Sequence, residues 1–475
     1  MIALPTDIIL MIVDTIDEFK DRRKLLQVCR SWRSLLLAKV YSKVTLGNDE
    51  SLVPLAYAAR LNRSIGASVR ELRITDLCGK ADKNGIYDPE LFRELIKPFT
   101  ATPEDISEWE GALEGGDEQL WLVLVLVSLK NLRYLEMRHY SYAWDLTLRS
   151  LAQLACNSVR VWGYAPLSHL EEVTIMSETV YQNFPAIRFA PFFKLPAMRV
   201  FRAAGVHEEH EGKYAEFPIP LNLEHKSSQV REIILDHSNC RRGMIEYISS
   251  CANLEYFEYQ HSNAANHGDV WLDFRPRRFH AALFTQKHSL RVLRLNDCGI
   301  TRGVDDIGME DEGIYSGDDV EIDPWFGSLV DFTELRELRI PVRNLLDLDN
   351  RHRGLGSSLD EILPCGLEYL CLAKTDHAEF DTVEPQLRRL LALRGKCFPA
   401  LRKLVIQLYQ MELIPGKELS SAKNEGNCRI PLSTKGVFEE VRRVCVTEGV
   451  EFLFAYDGEY QVLADGKLVC DTDGA

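Results

Sequence analysis

Leu290-Arg-Val-Leu293-Arg-Leu295 is the cleanest copy of a six-residue pattern, L-x-x-L-x-L, that recurs along this chain. Its last two apolar positions alternate with an arginine. This is the spacing of a strand with one face buried and one in water. Working outward from it, Val69–Ile74, Leu132–Met137, Leu170–Ile175, Val230–Leu235, Leu254–Tyr259, Leu335–Ile340, Leu367–Leu372 and Leu401–Ile406 repeat the pattern. Met198-Arg-Val-Phe201 is a weaker copy. The copies stand roughly 24 to 45 residues apart, with one longer first gap, and repeat arrays of this type have periods of about 20–29 residues. A single strand of this kind cannot bury its apolar face alone, so neighbours must stack into a continuous core.

Helical stretches are expected between the strands. The clearest runs from Asp117 to Leu129, with Leu120, Trp121, Leu124 and Val127 apolar. Met244 to Cys251, Pro385 to Arg394 and Val437 to Val446 are the others. Strand followed by helix, repeated, predicts an α/β fold with a curved parallel sheet and helices outside it. The chain from residue 47 to 475 resembles an irregular leucine-rich repeat solenoid. It departs from regular repeats in lacking most of their asparagine ladder, to which Asn296-Asp297-Cys298 comes nearest. A solenoid of this type offers its concave strand face to a partner. The resemblance makes Arg294, Glu337, Arg339 and Tyr369 the default surface for a protein target.

Acidic segments interrupt the array. Two are expected as loop insertions, near residues 100–119 and 299–328. The first falls in a stretch with no Lys or Arg between Lys97 and Lys130. The second holds Asp305, Asp306, Glu310, Asp311, Glu312, Asp318, Asp319, Glu321 and Asp323, punctuated by glycines. Its spacing does not meet the D-x-D-x-D-G calcium pattern, so a solvated insertion is the expected reading. Residues 205–229 and 409–434 read as further polar loops. The whole chain of 475 residues carries a net charge of -15. That balance argues against a general binder of nucleic acid or of acidic membrane surfaces, which need clustered cations.

The first residues read LPTDIILMIVDTIDEFKDRRKLLQVCRSWRSLLLAKVYSKVTL, from Leu4 to Leu46. Pro5 suits the first turn of a helix, and Ile8, Ile9, Ile12, Val13 and Ile16 recur with helical spacing. Two more short helices follow, the third carrying Trp32, Leu35, Leu36 and Leu37. Three helices in so few residues bury little surface, and their apolar arc is wider than a free-standing bundle uses. Leu4-Pro5, the isoleucine run, Leu25-Leu26 and Val28-Cys29-Arg30-Ser31-Trp32-Arg33 resemble the F-box, with Asp7 where many members carry Glu. The resemblance assigns residues 1–46 to that module. It implies docking of a Skp-type adaptor, and through it of cullin and RING subunits, by Leu4, Pro5, Ile8, Ile9, Leu25, Leu26, Val28, Cys29 and Trp32.

Signatures of chemistry are weak. His207-Glu208-Glu209-His210 spaces its histidines three apart, where a helical zinc site needs four. His261 and His267, near Trp271, could line a cleft but read more simply as loop residues. Arg275-Pro276-Arg277-Arg278 beside Phe274 and Phe279 is a compact basic-aromatic patch, best read as a solvent-facing helix start. No hydrolase elbow, phosphate-binding loop or dinucleotide fingerprint occurs. The 12 cysteines are scattered, without a C-x-x-C pair, and read as reduced, buried small hydrophobes. The longest apolar run, Leu120–Val127, is about half of a membrane span, and no signal peptide opens the chain. The expectation is a non-catalytic cytoplasmic or nuclear protein with no cofactor and no metal. With the two resemblances it becomes a substrate-recognition subunit of a ubiquitin ligase. The other reading is a repeat scaffold that binds the adaptor without directing ubiquitination.

Overall fold

The computed structural model describes residues 5–16, 18–47, 52–75, 87–100, 102–139, 150, 160–177, 184–208, 223–240, 242–262, 274–297, 324–346, 358–375, 379–408, 438–456, 460–462 and 468–470. Two compact units divide near Ser238 and Asn239.

In the first unit, helices α1 (Thr6–Asp14), α2 (Phe19–Leu25) and α3 (Arg30–Val40) lead into strand β1 (Lys43–Leu46). Then come α4 (Leu52–Leu61), α5 (Arg63–Ser68), β2 (Glu71–Ile74), α6 (Pro89–Ile96), α7 (Pro103–Glu114) and α8 (Glu118–Ser128). Strands β3 (Tyr134–His139), β4 (Glu172–Ser177), β5 (Phe184–Pro185), β6 (Val200–Ala204), β7 (Val206–His207) and β8 (Glu232–Ser238) complete it. Strands β1, β2, β3, β4, β6 and β8 lie side by side and parallel. The second unit has parallel neighbours β9 (Tyr256–His261), β10 (Val292–Asp297), β11 (Glu337–Pro341), β12 (Tyr369–Thr375), β13 (Lys403–Leu408) and β14 (Glu451–Tyr456). Antiparallel β15 (Tyr460–Val462) and β16 (Leu468–Cys470) follow.

Every copy of the six-residue pattern becomes a strand that begins two residues into it. The physical reason lies in both side chain and backbone. The leading residues Val69, Leu132, Leu170, Met198, Val230, Leu254, Leu290, Leu335, Leu367 and Leu401 are all buried, as are the two alternating positions behind each of them. The residue after the leading one passes a hydrogen bond from copy to copy. Arg70 O accepts from Arg133 N at 2.8 Å, Arg133 O from Glu171 N, and Glu171 O from Arg199 N. In the second unit Arg291 O accepts from Arg336 N, Arg336 O from Glu368 N, and Glu368 O from Arg402 N, each at 2.8 Å. This backbone ladder needs no particular side chain, and it satisfies groups at the strand entry that would otherwise be buried unpaired.

Three departures from expectation have local causes. The acidic segment near 100–119 is not a loop over 103–114 but helix α7. Thr102 Oγ1 accepts from Asp105 N at 3.2 Å and Asp105 Oδ2 accepts from Thr102 N at 2.9 Å, a reciprocal cap with Pro103 at the first position. The helix from Phe380 to Ala392 starts five residues before the expected Pro385, which sits inside it. Residues 43–46, assigned by resemblance to the helical module, form β1 and pair with β2 in register. The acidic residues Asp305 to Asp323 lie outside the described residues, as do 409–434. Among the described residues no helix is long and apolar enough to cross a membrane.

Candidate protein-interaction surfaces

The N-terminal helices divide their wide apolar arc between core and solvent. On α1, Ile9 and Val13 are buried, while Ile8, Met11 and Ile12 form a stripe at positions i, i+3 and i+4 on an exposed face. Ile8 is 42% exposed, Met11 62% and Val28 60%, and Leu35 on α3 is also exposed. Several exposed apolar side chains on one small module make it a candidate interaction surface. The helices are anchored beneath: Leu36 and Val40 are buried, and Lys39 Nζ meets Asp14 Oδ1 at 2.6 Å.

The residues assigned to adaptor docking therefore separate. Pro5, at the N-cap of α1, Ile8, Val28 and Cys29 are exposed. Leu25, Leu26 and Trp32 are half-buried, and Ile9 faces the core. Cys29 Sγ accepts from Trp32 N at 3.4 Å and so caps α3. Leu4 lies outside the described residues. Met11 was not singled out from sequence, although its spacing from Ile8 carries the signal, and Leu35 was read as apolar on the third helix but not assigned to docking.

The second surface is the strand face opposite the buried leucines. In the second unit Arg294, Glu337, Arg339 and Tyr369 come together on β10, β11 and β12. Arg294 aligns with Arg339, and Glu337 with Tyr369. Arg294 Nε donates to Glu337 Oε1 at 2.7 Å, its Nη1 lies 3.5 Å from Glu258, and its guanidinium stands 5.4 Å from the Tyr256 ring centre. Tyr256 in turn donates to Glu258. Burial, then the Glu258 carboxylate, pushes the Tyr256 phenol up. Beyond this charged zone the same face turns apolar, because Cys371, Val405 and Leu453 align across β12, β13 and β14 with Tyr369 packed against them. The six-residue pattern turns the positions of Cys371 and Val405 to solvent, although the cysteines were expected to be buried; Leu453 lies beyond its last copy. The runs Leu370-Cys-Leu-Ala and Leu404-Val-Ile signal otherwise, since strands buried on both faces lose the alternation.

His261 is buried, its Nδ1 2.8 Å from the Tyr259 hydroxyl. His210, His267 and Trp271 lie outside the described residues. Arg277 and Arg278 are exposed on the helix from Pro276 to Leu283, with Arg277 over the Trp325 ring at 4.8 Å. Burial pushes the Cys371 thiol up to about 11 and those of Cys251 and Cys445 up to about 12, so all three stay protonated near neutrality. No group of histidine, cysteine and acidic side chains among the described residues could hold a metal ion.

Residues 121–417 match the family described as a leucine-rich repeat domain. The chain belongs to the leucine-rich repeat family. The match takes in β3 to β13, with the charged zone of the strand face and the Cys371 and Val405 part of the apolar one; it starts after the N-terminal helices. Leucine-rich repeats bind proteins across such faces. No curated protein matches this chain.

Proposed function

We propose that this leucine-rich repeat protein is a substrate-recognition subunit of a Skp-cullin-F-box ubiquitin ligase. The N-terminal helices dock a Skp-type adaptor, the adaptor brings cullin and RING subunits, and the strand face of the repeats holds a protein target. The observation that carries this reading is the exposed stripe Ile8, Met11 and Ile12, with Val28 and Leu35, in a segment whose sequence resembles the F-box. Each such side chain withdrawn from water by a partner contributes roughly 1.5–3 kcal/mol before the cost of association. The chain itself performs no chemistry in this account. It raises the effective concentration of a target lysine near a ubiquitin carrier bound elsewhere in the assembly.

Copurification tests it. Tagged full-length protein should retain a Skp-type adaptor and, with it, a cullin. An adaptor without cullin would favour the scaffold reading, and loss of both would contradict docking altogether.

A further inference from the structure

We infer that a pocket between α2 and strands β1 and β2 binds a phosphate monoester carried by a partner protein. The pocket is an open cleft of about 200 Å3, lined by Arg22, Lys43, Val44, Thr45, Glu71 and Arg73. That is several times the roughly 30 Å3 a water molecule takes up in the liquid.

Arg22 is the unusual member. It is only 8% exposed. Its Nη2 donates to the Lys43 carbonyl at 3.1 Å, and its Nε is buried with no hydrogen-bond partner. Among the described residues no carboxylate pairs with it. A guanidinium withdrawn from water without a counter-charge is costly, and the cost is relieved when an anion enters beside it.

The other cations are ready to share that anion. Lys43 Nζ lies 3.0 Å from Glu71 Oε1, and Arg73 Nη2 lies 4.0 Å from Glu71 Oε2. The Lys43 and Arg73 side chains are 61% and 50% exposed, so both can swing toward a ligand. Arg73 Nε stands 3.7 Å from Glu136, but that carboxylate already accepts from Tyr134 and Arg138. Three cations thus line the pocket against the single carboxylate of Glu71, in a chain whose net charge is -15.

The charge balance selects the ligand class. Glu71 already supplies what one more carboxylate would bring. A phosphate monoester carries about -1.5 to -2 at neutral pH and three acceptor oxygens, enough for Arg22, Lys43 and Arg73 together, and guanidinium forks suit phosphate geometry. The Thr45 hydroxyl offers a further donor. The inference does not depend on adaptor docking, and its test needs no adaptor.

The test is fluorescence anisotropy on the full-length chain with a degenerate peptide pool phosphorylated at a central serine, beside the same pool unphosphorylated. The phosphorylated pool should bind at least about tenfold tighter and be displaced by O-phosphoserine. Arg73→Gln should lose about tenfold of that affinity, the loss expected for one charge-assisted bond, at an unchanged unfolding midpoint. Arg22→Gln should lose more, and Arg73→Gln keeps the test decisive if that variant fails to fold. Equal binding of both pools, displacement by glutamate as effective as by O-phosphoserine, or wild-type affinity in Arg73→Gln would overturn the assignment. So would protection of the protein by free orthophosphate without discrimination between the pools.

Discussion

A Cβ added at Gly66 would stand 2.5 Å from the carbonyl oxygen of Ser128, so α5 approaches the end of α8 as only glycine permits. Gly66→Ala should cost about 1–3 kcal/mol through overpacking against backbone. Gly111 in α7 has nothing within 4 Å of the same position, and Gly111→Ala should add roughly 0.5–1 kcal/mol. Urea unfolding of the two variants reads both signs. His280 gives a pH test. Burial holds its pKa below the ordinary 6.5, a hydrogen bond to the Ser328 carbonyl at 2.8 Å opposes that, and nearby Arg277 reinforces it. The folded state therefore resists protonation. The neutral ring's contribution is complete above pH 6.5 and is lost as pH falls below that value. Wild type should lose more stability than His280→Gln between about pH 7.5 and 5.5. At this scale the exposure of the residues expected to dock an adaptor was only partly legible. Helical spacing makes Ile8 and Ile9 equally apolar, and it is the packing that buries Ile9 and leaves Ile8 in water.

Among elements, α8 shows what pattern reading captures and what it loses. The stretch from Asp117 to Leu129 reads as helical, and the helix occupies Glu118–Ser128. Every residue from Leu120 to Ser128 is buried, as befits a helix apolar all round. Asp117 Oδ1 accepts from Gln119 N at 2.9 Å and Leu120 N at 3.3 Å. Asp117→Ala should cost about 1 kcal/mol in thermal unfolding and Asp117→Asn much less. The preceding helix was hidden by its own composition. Thr102, Pro103 and the acidic first turn resemble a loop until they are recognised as a cap, and acids there are favoured by the helix dipole. Trp121 Nε1 then ties the two helices together by donating to the Leu113 carbonyl at 3.2 Å.

The repeats were legible because each copy buries the same three positions, and within each unit neighbouring copies share the same backbone bond. Degenerate side chains such as Met198 and Phe201 fill the role of leucine without disturbing that ladder. The apolar zone of Cys371, Val405 and Leu453 was not legible from the six-residue pattern, which turns the first two positions to solvent and does not reach the third. It belongs to strands β12 to β14, where residues on both faces are buried. The leucine-rich repeat body and the exposed N-terminal stripe are separate surfaces, and the proposed link to a ligase rests on the stripe. Calorimetric titration of the purified full-length chain with a Skp-type adaptor tests that link most directly, using wild type, Met11→Glu and Val28→Asp. Both side chains are exposed, so each variant should keep its folding stability within about 0.5 kcal/mol. The account predicts that wild type binds and that each variant loses about tenfold or more in affinity. Failure of the wild type to bind, or unchanged affinity in both variants, would contradict it.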